Sequence, residues 1–148
     1  MGAYTQILYQ IVFSTKDRTK SMIPSGQESL YKFITNILKN KNCHIYQING
    51  VEDHLHIITH LHPKIALSDL IKDIKIASSI FIKAENLFPD FKGWQDKYGA
   101  FTYAYSSKDN LIEYVKNQKE HHRKTTFKEE FLSLLDEHDV RFDEKYLF

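Results

Sequence analysis

An α+β fold is predicted, with a four-stranded antiparallel sheet in β-α-β-β-α-β order and further helices at the C-terminal end. Three observations carry this prediction. Short alternating runs rich in β-formers are separated by two long segments whose apolar residues recur with helical period. Two of the short runs lie back to back across an Asn-Gly pair, a hairpin signal. After the fourth short run only helical patterns follow.

Residues 4–13, YTQILYQIVF, alternate and read as the first strand. IPSGQESLYKFITNILKN opens with Ser25 and Glu28 at capping-box spacing, and Leu30, Phe33, Ile34, Ile37 and Leu38 then form a buried helical stripe. CHIYQING is the second strand, ended by Asn49-Gly50, and the run from His54 follows as its partner. ALSDLIKDIKIASSIFIKAENLF is the second long helix, with Leu67, Leu70, Ile71, Ile74 and Phe81 on its stripe and Lys72, Lys75 and Lys83 away from it. Residues 89–99 hold Pro89, Gly93 and Gly99 and read as a loop, and AFTYAYS is the fourth strand. SKDNLIEYVKNQKEHHRK is a third helix with Ser107 as its N-cap. Thr126 and Glu129 make a second capping box, opening a last helix with Phe127, Phe131, Leu134 and Leu135 on one side. This order gives a ferredoxin-like split βαβ sheet with both long helices on one face and the first and third strands at its centre. The other face must be covered or used.

The chain has 148 residues, 42% hydrophobic and 26% charged, which suits one domain over 1–148 with an acidic C-terminal extension from about 127. No apolar run approaches the ~20 residues that span a bilayer, and no leader pattern is seen, so no membrane partner is expected and the cytosol is the default compartment. A single cysteine, Cys43, excludes a disulfide framework and a Cys-rich zinc site. The net charge of +1 hides an asymmetry: residues 1–128 carry 18 Lys/Arg against 12 Asp/Glu, and residues 129–148 carry 2 against 7. A mildly basic body is compatible with a polyanionic partner and equally with an ordinary solvated surface.

The run GVEDHLHIITHLH holds half of the chain's eight histidines, and His54, His56, His60 and His62 share one parity. On a strand all four leave the sheet on one face. His54 and His56 have Cα atoms roughly 6.6 Å apart, close enough for two imidazoles to meet on one metal ion, whereas His60 is about 13 Å beyond His56. His60 and His62 are therefore bystanders. The pair taken alone reads more readily as structural histidines than as a metal site. A third ligand should come from another element, and the third helix offers Tyr114, Gln118 and His121, which recur close to one helix face where an ordinary amphipathic helix would carry aliphatic residues. A half-buried aromatic beside a solvated amide is the alternative.

His54-Leu55-His56 resembles the histidine-hydrophobic-histidine motif of HUH nucleases. Tyr114-Val115-Lys116-Asn117-Gln118 resembles the Tyr-x-x-x-Gln helix of single-tyrosine transposases of the insertion-sequence 200/605 type. The flanks WQDKYGAFTYAYS and NQKEHHRKTTFKEEF look most like the subgroup associated with repetitive extragenic palindromes. The resemblance runs through nearly the whole chain, in order.

It implies a DNA-strand transferase that cuts single-stranded DNA beside short hairpins and rejoins it. Tyr114 would be the nucleophile, forming a 5′-phosphotyrosine and releasing a 3′-hydroxyl. His54, His56 and Gln118 would hold a divalent ion, Mg²⁺ or Mn²⁺, and His121 is a secondary candidate on the same face. A phenol with a pKa near 10 gains from charge neutralisation at the phosphate. Lys16, Arg18 and Lys20, with Lys72 and Lys75 on the second helix, are candidates for phosphate contacts, with ordinary solvated charge as the alternative. Tyr103 and Tyr105 can stack on bases, although packing is the simpler use. The resemblance also implies a two-fold homodimer, with exchange of Tyr114 between chains as one arrangement. A hairpin-binding protein without mobility, and an unrelated metal-dependent hydrolase that needs no tyrosine, are the competing readings.

Overall fold

The computed structural model describes residues 3–147. Four strands, β1 (Leu8–Ser14), β2 (His44–Gly50), β3 (His54–His60) and β4 (Gly99–Thr102), pair antiparallel in the order β2-β3-β1-β4. The first and third strands are central, as the sequence order implies. Five α-helices accompany them among the described residues: α1 (Pro24–Asn40), α2 (Leu67–Ala84), α3 (Lys108–Lys116), α4 (Gln118–His121) and α5 (Phe127–Glu137).

Strand alternation divides the sheet into two unlike faces. Ile11, Phe13, Leu55 and Ile57 point toward α1 and α2 and share one core with Leu30, Ile34, Leu38, Leu70, Ile71 and Ile74. The loop after α2 closes that core with Phe88, Phe91 and Trp94, whose indole Nε1 donates to Ser78 Oγ at 2.9 Å. The opposite face carries Leu8, Val12 and Ile58, covered by Leu111 and Val115 of α3 and by Phe127, Phe131, Leu134 and Leu135 of α5. His54, His56 and Gln10 lie on this second face, fully buried. The acidic extension is thus part of the sheet's cover.

Several boundaries differ from the sequence reading, each for a local reason. Helix α1 starts at Pro24, a favoured first helical residue, with Ile23 as its N-cap. Ser25 therefore sits inside the first turn, the Ser25–Glu28 box does not form, and Glu28 pairs with Lys32 at 3.2 Å instead. Helix α2 stops at Ala84, where Asn86 takes a left-handed conformation (φ 49°) and Leu87 N–H reaches back to Ile82 C=O. Ile82 is buried where Phe81 was expected, and Phe81 stacks on Phe33 with ring centroids 4.2 Å apart. Strand β4 leaves the sheet after Thr102, because Tyr103 turns toward Gln10 and a 3-10 turn at Tyr105–Ser107 leads into α3. Ser107 makes no side-chain cap. The expected third helix is broken at Asn117 (ψ 19°) into α3 and α4.

The Asn49-Gly50 pair is not the hairpin turn. Both residues are still in the ladder, opposite His56 and Leu55, and the chain reverses over Val51–Asp53. Asn49 instead faces α3, its Nδ2 donating to the carbonyls of Val115 at 3.1 Å and Lys116 at 3.0 Å. Gly50 is required by close approach, since a Cβ there would lie 2.3 Å from the His54 carbonyl oxygen and 2.8 Å from Leu55 Cα. Both obstacles are backbone and cannot rotate away. Gly50→Ala is therefore expected to cost about 1–3 kcal/mol of stability through forced backbone shifts, read as a lower midpoint in chemical denaturation. A midpoint equal to that of the parent protein would show that the hairpin has room to spare.

Candidate active site

Five elements deliver polar side chains to one point on the second sheet face. Strand β3 supplies His54 and His56, β1 supplies Gln10, α3 supplies Tyr114, α4 supplies Gln118 and His121, and α5 supplies Glu130. His122 follows α4 directly. The carboxylate of Glu130, almost wholly buried, is the hub. Its Oε1 lies 3.2 Å from His54 Nε2, 2.9 Å from His56 Nε2 and 3.0 Å from His122 Nε2. Its Oε2 accepts hydrogen bonds from the Tyr114 hydroxyl and, at 3.2 Å, from Gln118 Nε2. His121 Nε2 is 3.4 Å from the same oxygen.

The imidazoles are held from behind. His54 Nδ1 donates to Asp53 Oδ1 at 2.7 Å. His56 Nδ1 lies 2.7 Å from Gln10 Oε1, and Gln10 Nε2 donates to the Tyr103 hydroxyl at 2.7 Å. Phe127 stacks on His54, centroids 4.3 Å apart. Outer partners of this kind fix ring orientation and leave each Nε2 for the site, as around ligating histidines. His54, His56, His122 and Glu130 each offer one donor atom, and the four atoms lie within 4.8 Å of one another. Imidazoles with a carboxylate fit a divalent first-row ion.

The electrostatics follow from burial against hydrogen bonding. Burial opposes the Glu130 charge, but hydrogen bonds from His122, His54 and His56 outweigh it and hold the carboxyl well below its usual range. For His54 burial pulls downward, and the Asp53 and Glu130 carboxylates reverse the sign, so its pKa is raised. His56 is lowered, with burial the largest cause. The Tyr114 phenol is pushed well above its ordinary 10, first by burial and then by the Glu130 charge beside it.

Tyr103 is pushed up to about 12, chiefly by burial. A raised acid pKa favours the neutral phenol in the folded state, so this stabilisation is complete below pH 10 and is lost as pH rises from 10 toward 12. Denaturant midpoints measured from pH 9 to 12 are expected to fall through that window, and to fall less steeply in Tyr103→Phe. Equal slopes would refute the assignment.

Of the residues singled out in the sequence, Tyr114, His54, His56, Gln118 and His121 all come together here. Gln118 Oε1 is 3.3 Å from His54 Nε2. Tyr114 faces His56 of the same chain, ring centroids 5.9 Å apart. His60 and His62 stay outside: His60 Nδ1 accepts from Ile7 N–H at 2.9 Å, and His62 Nδ1 accepts from Lys64 N–H at 3.1 Å. Tyr103 is packed and hydrogen-bonded, while Tyr105 is exposed.

The lysine candidates divide. Lys20 lines a cavity of about 440 Å³ beside His122, together with Lys119 and Arg123. Lys16 and Arg18 form the exposed 3-10 turn that follows β1. Lys72 and Lys75 sit on α2, on the far side of the sheet from the histidines, and are not brought to the site. Lys75 is moreover committed, donating to the carbonyls of Gln95 at 2.7 Å and Lys97 at 3.0 Å.

Glu130 and His122 were missed. The signals for both were present: Glu130 interrupts the apolar stripe Phe127, Phe131, Leu134 one turn after Phe127, and His122 lies one turn after Gln118 on the same face.

Residues 3–118 match the family model described as "Transposase IS200 like". Among solved structures, the fold is similar to that of a protein from Deinococcus radiodurans R1 named as a candidate transposase, with TM-score 0.62, 20% identity, and coverage of 80% of this chain and 95% of that one. It is also similar to a REP-associated tyrosine transposase bound to a REP hairpin, with TM-score 0.60, 16% identity, and coverage of 82% and 72%. No curated protein matches in a sequence search. Among the described residues no helix is long and apolar enough to cross a membrane.

Proposed function

The chain belongs to the IS200-like transposase family, and from that premise we propose that it cuts and rejoins single-stranded DNA beside hairpins through a covalent bond to Tyr114. The observation that carries this reading is the convergence of Tyr114, Gln118, His54 and His56 on one buried point within a single chain. The hairpin as substrate is supported by the structural relative that holds one. The hydrolase alternative loses its ground with the family match.

In the proposed reaction the Tyr114 oxygen attacks the scissile phosphorus. The O–P bond to tyrosine forms as the bond to the 3′-oxygen breaks. The 3′-oxygen leaves with the electron pair of the broken bond and takes up one proton, balancing the one released by Tyr114, to become a hydroxyl, and the 5′ end stays on Tyr114. Glu130 Oε2 already accepts the hydrogen bond of the phenol, and is the nearest acceptor for its proton. With its pKa raised, the resting phenol is neutral and a poor nucleophile until that proton moves. His54, His56 and Gln118 would hold a divalent ion, Mg²⁺ or Mn²⁺, which supplies charge neutralisation at the phosphate when bound. Lys20, Lys119 and Arg123 line the adjoining cavity and would meet the backbone of the strand. Rejoining runs the same step backward, so the phosphotyrosine conserves the bond and no nucleotide cofactor is needed. A two-fold homodimer is part of the proposal, with Tyr114 serving the histidines of its own chain or, by exchange of the helix, those of the partner.

The test is incubation of the full chain with hairpin-bearing single-stranded DNA and Mn²⁺ or Mg²⁺. A denaturing gel should show a protein–DNA adduct, and peptide mapping should place it on Tyr114. Cleavage that leaves a free 5′-phosphate and no adduct would sink the proposal.

A further inference from the structure

We infer that His122 and Glu130 are themselves ligands of the divalent ion, so that ion binding ties the C-terminal helix α5 to the sheet. The inference rests on the metal-assisted reading above and extends it to residues beyond position 118, where the family match ends.

The first argument is spacing. Ligand atoms about 2.0–2.2 Å from a common ion lie roughly 3.0–3.5 Å apart at angles between 90° and tetrahedral. The three imidazole Nε2 atoms are 3.2, 2.9 and 3.0 Å from Glu130 Oε1. Direct hydrogen bonds and co-ligation of one ion share this spacing, and the four donor atoms all lie within 4.8 Å of one another, so an ion could gather them with local side-chain shifts. The second argument is the accounting of lone pairs. His54 Nδ1 is committed to the Asp53 carboxylate, so the Nε2 of a neutral His54 presents a lone pair. That lone pair faces two more oxygens, Glu130 Oε1 and Gln118 Oε1. Turning the Gln118 amide over does not help, because its Nε2 already donates to Glu130 Oε2. A proton on His54 Nε2 or a divalent ion resolves this crowding, and an ion could take the Nε2 atoms of all three imidazoles at once.

The two carboxylate oxygens then have separate tasks. Oε1 faces the imidazoles and takes the ion. Oε2 faces α3 and α4 and keeps the Tyr114 hydroxyl and the Gln118 amide. In this arrangement Gln118 is also a positioning residue that orients Glu130. Phe127 on His54, and the capping box at Thr126 and Glu129, fix the start of α5 in the register that brings Glu130 inward.

The test titrates Mn²⁺, which accepts imidazole and carboxylate donors, into chelator-stripped protein by calorimetry. Four proteins are compared: the parent, His56→Ala, His122→Ala and Glu130→Gln, each checked for fold by circular dichroism. His56→Ala, His122→Ala and Glu130→Gln are each expected to weaken binding at least about tenfold. An unchanged affinity in His56→Ala would sink the underlying metal reading. Weakening by His56→Ala with no change in Glu130→Gln or His122→Ala would overturn only the present inference. Tighter binding in Glu130→Gln would also overturn it, because Glu130 would then be competing for the ion's place. A measurement on the parent protein needs no variant: amide exchange in α5 should slow when Mn²⁺ is added. Unchanged exchange there would refute the tie between the ion and α5.

Discussion

Tyr114→Phe is expected to abolish the proposed protein–DNA adduct and to bring hairpin cleavage down to background, with hairpin binding within a few fold of the parent. The substitution removes one oxygen, and that oxygen is the proposed nucleophile, so no partial activity is expected by the same route. The ring remains, and with it the contacts to His56 and His121, whose centroids lie 5.9 and 5.3 Å away. What is lost structurally is the hydrogen bond from the hydroxyl to Glu130 Oε2. Gln118 Nε2 and His121 Nε2 remain near that oxygen, at 3.2 and 3.4 Å, so the carboxylate is not stranded. A charged-group hydrogen bond of this kind is worth about 1.5–3 kcal/mol, which a denaturant midpoint will register without global unfolding. Adduct formation is read on a denaturing gel and binding by fluorescence anisotropy on labelled hairpin. An adduct that persists in the Phe protein moves the nucleophile to another residue, and the exposed Tyr105 would be examined next.

The site was legible in the sequence to the extent that its residues lie in periodic elements. His54 and His56 announce a shared face through a period of two, and Tyr114 and Gln118 through a spacing of four. Both pairs lie on the face read for them, even though the helix carrying the second pair breaks between its members at Asn117. The break is a tertiary effect: Asn49, a residue read as a turn, instead takes the free carbonyls at the end of α3. Helical stripes located the core well because burial needs only the right face, and Ile82 in place of Phe81 is a shift of one residue within that face. Glu130 left only one trace, its interruption of the α5 stripe one turn after Phe127. A carboxylate on an apolar stripe is read as a surface residue at the margin until a buried cluster is known to lie beneath it, and that cluster comes from strands more than seventy positions earlier. Charge alone says little about Lys75, whose ammonium donates to two loop carbonyls and is held below its usual pKa, mainly by burial.

His56→Ala should reduce metal-dependent cleavage to the level seen in excess chelator, and the parent protein in excess chelator should itself fall to background. Both outcomes follow from one premise, that attack by the Tyr114 oxygen on an anionic phosphate needs charge neutralisation where it occurs. His56 is wholly buried and its two ring nitrogens are both engaged, one by Gln10 and one by Glu130. Its removal opens a cavity and takes one compensating partner from a buried carboxylate. A loss of about 3–5 kcal/mol of stability is therefore expected beside the loss of activity, and activity must be measured at a temperature where circular dichroism shows the variant folded. Two further variants separate a lost ligand from a generally weakened sheet. His60→Ala removes a histidine of the same strand and parity, together with its hydrogen bond from Ile7 N–H, and should cost about 1 kcal/mol with cleavage retained. His62→Ala removes a half-buried ring whose Nδ1 accepts from Lys64 N–H, and should likewise leave cleavage intact. Should either control prove as damaging as His56→Ala in protein that is still folded, the site would lie elsewhere along the histidine strand. Full cleavage by the parent in excess chelator would remove the metal from the reaction, and leave His54 and His56 as partners of Glu130 alone.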